Sequence, residues 1–298
     1  MTLAVADRPI RSTRRSARRS ARRSAGSAGR YLAALAYLAF VLLPIVYMVL
    51  VSLQDSVTAG TVVVPRSLHW QTFTEMWQTV DLGLYLRNSL LIAILTGLCA
   101  SIIALGAAYV IARFRFRFRN AFRVSLLATH TVPGVLLLLP LFVIYVVIQH
   151  ALQVRIVGSY FGVVFTYMTF ALPFAIWLLS VYVASLPAEI EEQALVDGAD
   201  RLGVLRYVTF PLAVPGLVVT FIFSFLLAWN DVLFASVLTS PATRTIGVGL
   251  QNYVAENTLP LWNQLMAASI VSAVPAVILF MIVQRWIVTG LAGGSLKG

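Results

Sequence analysis

Five of the eleven acidic residues lie close together in the stretch LPAEIEEQALVDGADRLGVLRYVTFPL: Glu189, Glu191, Glu192, Asp197 and Asp200. A stretch this acidic does not look like a plain connector between apolar runs. A second polar group, Trp229, Asn230 and Asp231, interrupts an otherwise apolar run. A carboxylate and an amide beside an aromatic face suit a polyhydroxylated solute, and an ionisable group at membrane depth is a functional candidate by default. Alternatively, Asp231 caps or pairs at a helix end. His69, His130 and His150 are far apart and form no H-E-x-x-H pattern, so no metal site is expected. Cys99 is the sole cysteine, which rules out an internal disulfide.

The acidic stretch needs a stiff support. Pro187 suits the first turn of a helix, and Glu189, Glu191 and Glu192 complement its positive end. Gly198 and Gly203 break the pattern, which predicts two short helices along the membrane surface, the second running from about Asp200 to Val208 until Pro211 ends it. Ile190, Ala194, Leu195, Leu202 and Leu205 give this elbow a greasy side. That side either packs on the chain's own spans and lipid, or docks in a cleft of a cytoplasmic partner and passes on its movement.

The chain as a whole is 60% hydrophobic and 11% charged, with mean hydropathy +0.88. So much apolar surface belongs in a bilayer. A helix crossing roughly 30 Å of hydrocarbon needs about 20 residues. Six runs qualify: 31–53, 88–112, 124–149, 156–186, 212 to about 238, and 261–284. With the amino terminus inside, 18 of the 22 Lys and Arg residues lie on the cytoplasmic side and 4 outside, as the positive-inside rule requires. Both termini are therefore expected in the cytoplasm. Nine of these basic residues crowd into positions 1–30, where TRRSARRSARRSAG repeats a short unit. A disordered tail against anionic lipid, and not a nucleic-acid site or a cleaved leader, is the expectation. The alternating Arg and Phe of RFRFRFRN, residues 113–120, are expected to anchor at the interface, and residues 54–87 to form an external loop with a short amphipathic piece near Trp70 to Trp77.

Glu192, Gln193 and Ala194, followed by Asp197, Gly198, Ala199 and then Val208, Thr209, Phe210 and Pro211, resemble the EAA loop of binding-protein-dependent ABC importer permeases. The family pattern is E-A-A, three residues, Gly, nine residues and an I-x-L-P-like ending. Gly198 and Val208 have that separation, while Gln193 replaces an Ala and Phe210 a Leu. Further similarity to carbohydrate importers of the maltose-permease type lies in Asn88 and Ser89, Ala108 and Tyr109, FALPFAIWLL from Phe170, AWNDVLFA from Ala228, LWNQLMAAS, and the closing QRWIVTGLAGGSLKG. About two thirds of the chain is covered.

The resemblance implies an all-α polytopic permease of a bacterial inner membrane, with six transmembrane helices and a cytoplasmic coupling loop at residues 187–211. Its domain would span residues 31–290 between a basic tail at 1–30 and a short cytoplasmic tail at 291–298. Glu189, Glu192, Ala194, Asp197, Gly198, Ala199, Leu202 and Pro211 would then meet the ATPase, with Glu192 and Gly198 foremost. Trp229, Asn230 and Asp231 would border the substrate path. No G-x-x-x-x-G-K-[ST] phosphate loop occurs in this chain, so ATP and Mg would belong to partners. The implied partners are two ATPase subunits, a second permease subunit and an extracytoplasmic solute-binding protein carrying a sugar. A permease for another solute, such as glycerol phosphate or a polyamine, shares the same loop and stays open, as does, more remotely, a passive channel or scaffold.

Overall fold

A backbone entering hydrocarbon must satisfy its N–H and C=O groups within its own segment, so the apolar runs fold as helices. The computed structural model describes residues 12–57, 59, 60 and 67–295, with side chains between residues 30 and 284. Among the described residues every regular element is helical. A long α1, Ser12–Ser52, is followed by a short α2, Thr72–Thr79, and by α3, Leu82–Arg113. Next come α4, Arg119–Ala128, and α5, Leu138–Leu152, separated by two 3-10 turns. Then α6, Tyr160–Ser185, leads into α7, Ala188–Val196, and α8, Arg201–Val204. A π turn, Leu205–Thr209, joins α8 to α9, Phe210–Asn230. The chain continues through α10, Leu233–Leu238, α11, Ile246–Glu256, and α12, Trp262–Ser295.

Among the described residues, six helical stretches are long and apolar enough to cross a membrane, in the expected order. Four details differ from the sequence expectations. The third span begins at Gly134 instead of residue 124, because Pro133 takes an extended conformation (ψ 119°) and separates it from α4. The fifth span stops at Asn230, where Asp231 turns extended (ψ 131°), so residues 233–238 form a separate helix. Pro211 does not end the second elbow helix, and the helical run from Arg201 to Asn230 is continuous. The wider π turn just before Pro211 takes up the hydrogen-bond register that its missing N–H and its ring would otherwise disrupt. Finally, α1 reaches back to Ser12 through the basic repeat, where disorder was expected. Arg and Ala both favour helix. Residues 1–11 of that tail and 296–298 of the other lie outside the described residues.

The packing centres on α3, α6 and α9. Ala104, Ala108, Ala175, Leu179, Val183 and Ala213 form a buried cluster where these three meet. Small side chains let the backbones approach, as membrane helices need when lipid offers no hydrophobic drive to associate. At Gly97 on α3, an added methyl would lie 2.7 Å from the Phe221 ring of α9. In the most apolar windows of α3 and α6, 44% of residues are buried, against 6% for the first and third spans. These two spans therefore offer their apolar sides to lipid or to another chain. One face of the bundle carries α2 and α11, held by Met76, Leu82, Ile246, Ala267 and Ala268. The opposite face carries the elbow.

Candidate functional site

The elbow is built from two capping motifs. At the end of α7, Gly198 N–H donates to Leu195 O (3.2 Å) and Ala199 N–H to Ala194 O (3.0 Å), which is a Schellman closure. Gly198 sits at φ +93°, where an L side chain is strained, yet apart from its chain neighbours nothing among the described residues lies within 4 Å of a Cβ built there. The need for glycine that is visible within this chain is therefore the backbone bend. Asp200 then starts α8, its Oδ1 accepting from Gly203 N–H at 2.8 Å.

Earlier in α7, one acid is treated unlike the others. Glu191 is only 3% exposed, whereas Glu189, Glu192, Asp197 and Asp200 are exposed. The Arg113 guanidinium at the end of α3 grips it in a fork, with Nε to Oε2 at 2.9 Å and Nη2 to Oε1 at 3.0 Å. Thr209, in the π turn, donates to the same Oε1 at 3.0 Å. Nη2 of Arg113 also donates to Leu186 O, at the end of α6, at 3.1 Å. The arginine thus satisfies both a buried carboxylate and an orphan helix carbonyl. The sequence reading had put Glu192 first among the acids and overlooked Glu191 and Arg113 as a pair. Arg113 begins the Arg-Phe segment expected to anchor at the interface, and that segment also packs on the elbow, Arg201 lying 5.5 Å over the Phe114 ring.

Outside this clamp the elbow is greasy and uncovered. Val196 is 87% exposed and Leu202 69%, and Ile190 is also exposed. Ala194, Leu195, Ala199 and Leu205 are half-buried, so part of the apolar side packs inward and part is free, and Pro211 is exposed.

Asp231 proves to be a cap. Its Oδ1 accepts from the N–H groups of Phe234 (3.0 Å) and Ala235 (3.2 Å) and from the hydroxyl of buried Tyr167 (2.8 Å). Trp229 stacks on Phe225 at 5.4 Å between ring centroids, and Asn230 is exposed. On the same face, Asn88 is fully buried and pins the segment between α10 and α11. Its Nδ2 donates to Ala242 O (3.0 Å) and Arg244 O (2.9 Å), and its Oδ1 accepts from Tyr160 (2.7 Å). Ser89 Oγ accepts from Ile246 N–H at 2.8 Å. A cavity of ≈ 510 Å³ opens nearby, with Asp81, Tyr85, Arg244, Asn252, Tyr253 and Glu256 among its lining. The sequence reading missed this cavity, whose residues come from separate segments.

A six-span bundle with a capped elbow on one face and an anchored polar surface on the other has the build of a transport permease. A family profile described as the binding-protein-dependent transport system inner membrane component matches residues 100–293, and the chain belongs to that family. It is 31% identical over 276 residues to the inner membrane ABC transporter permease protein YcjP of Escherichia coli, covering 91% of this chain and 96% of that protein. It is 33% identical to the sulfoquinovosyl glycerol transport system permease protein SmoH of Agrobacterium fabrum, covering 92% and 95%. Identity to the trehalose/maltose transport system permease protein MalG of Thermococcus litoralis is 31%, over 86% and 92%. The fold matches a chain in the crystal structure of a bacterial ABC transporter involved in import of the acidic polysaccharide alginate. The TM-score is 0.73 at 22% identity, over 88% of this chain and 96% of that one.

Proposed function

We propose that this chain is one of two permease subunits of a sugar importer, receiving a sugar or glycoside from an extracytoplasmic binding protein and driven by two separate ATPase subunits that hold ATP and Mg. The single observation that carries this reading is the elbow: a rigid, doubly capped turn between the fourth and fifth spans, with Val196 and Leu202 bare on its surface. A partner cleft would accept those side chains, and exposed Glu189, Glu192 and Asp197 would meet basic groups at its rim. The relatives named for glycoside and disaccharide transport support a sugar as cargo.

Both chain termini and the elbow would face the cytoplasm, following the charge asymmetry. Docked ATPases closing on ATP would pull α7 and α8, and with them the spans to which they connect. Reversing a roughly 1:99 inward-to-outward ratio takes about 5.5 kcal/mol of differential binding, which a loose loop would dissipate. Trp229 and Asn230 would border the route, and Asp231 would shape its mouth as a cap.

Purification of the intact complex in mild detergent tests this reading. Copurified ATPase subunits and a saccharide identified by mass spectrometry on the binding protein are expected. A chain that comes out alone overturns it. A well-inserted Gly198→Leu variant is expected to lose uptake.

A further inference from the structure

Three spans converge on Glu191, the charged side chain of the elbow that the fold removes from water. Peptide bonds tie α7 to α6 and, through α8, to α9, but nothing covalent ties it nearby to α3. Arg113 supplies that tie from 78 positions earlier in the chain. Its fork fixes both distance and angle to the carboxylate, and its remaining contact with Leu186 O adds the end of α6. Thr209 brings in the start of the fifth span. Replacing a buried ion pair with apolar side chains often costs little stability, so the value of this one lies in its fixed geometry. Beyond the clamp, Ala104, Ala108, Leu179, Val183 and Ala213 interlock the same three spans with little room for sliding.

We propose that Arg113 and Glu191 are positioning residues that fasten the elbow to α3, so that a displacement of α7 carries α3, α6 and α9 as one block past α1. This rests on the coupling role proposed for the elbow. Without the fork, α7 would still move its covalent neighbours, but α3 would lag and the block would shear.

Spin-label distances in the complete complex, reconstituted in nanodiscs and freed of other reactive cysteines by Cys99→Ser and equivalent changes in the partners, test this. Val110→Cys on α3 and Phe210→Cys on α9 report within the block, while Val110→Cys with Leu38→Cys reports between the block and α1; all three positions are exposed. With the clamp intact, trapping with ATP and vanadate is expected to change the Val110–Leu38 distance and leave Val110–Phe210 unchanged. In an Arg113→Ala background with ATPases still bound, the Val110–Leu38 shift is expected to be lost and the Val110–Phe210 distribution to move. A merely structural pair would lower the yield of complex and leave both responses as in the native clamp, which overturns the proposal. If Arg113→Ala does not insert, Arg113→Lys, which keeps the charge and loses the fork, gives the same decision. Failure of ATP to move either pair with the clamp intact would instead sink the coupling role of the elbow.

Discussion

At Glu191 and Glu192, adjacent side chains of the same type have opposite environments, and their substitutions should diverge accordingly. Removing one partner of a buried, hydrogen-bonded ion pair typically costs about 3–5 kcal/mol, because the other charge stays buried without compensation. Glu191→Ala is expected to lower stability by about that much, read from denaturation in detergent, while Glu192→Ala stays within about 0.5 kcal/mol as a surface change. Equal effects would contradict the burial assigned to them. Asp231 offers a second contrast. Asn caps a helix nearly as well as Asp, so Asp231→Asn should retain stability, whereas Asp231→Ala should cost about 1 kcal/mol for the cap and more for the stranded Tyr167 hydroxyl. Purified variants compared by thermal unfolding would reveal the difference. Helix periodicity alone could not single out Glu191, since its burial depends on Arg113, which the sequence holds far away.

Among the elements, the elbow was the most legible. Pro187, the acids that follow it, and the two glycines marked a broken helix, and the structure has helices on both sides of Gly198. The backbone, rather than crowding, requires glycine there, so Gly198→Ala should destabilise α7 by about 1–2 kcal/mol and Gly198→Asn by less, since Asn tolerates that conformation. A fluorescence-detected melt of each variant is sufficient to rank them, and an Ala variant as stable as the native chain would refute the account. Pro211 was misread because proline usually stops a helix, and the π turn that accommodates it has no signature in residue type. The break at Asp231 was half legible: a helix-end cap had been one alternative, but the hydropathy of residues 233–238 continued the apolar run and concealed the turn.

In the whole molecule, span number and order followed from hydropathy alone, because the bilayer leaves a chain few options. Which spans lie at the centre did not, since α1 and α3 are both strongly apolar. Small residues along α3 were the available clue. A charge at Leu38, exposed in the middle of the first span, should meet lipid, and Leu38→Arg is expected to oppose insertion by about 2.5–3.5 kcal/mol in a glycosylation-reporter assay. Asn88 and Arg113 stand towards opposite ends of α3, one holding the segment before α11 and the other holding the elbow. The 25 residue steps from one to the other make a rod about 37 Å long, so a tilt of about 5° at one tip sweeps the other through about 3 Å. A single helix can therefore serve as a lever, turning a nudge at the elbow into a change in the shape of the opposite end of the bundle.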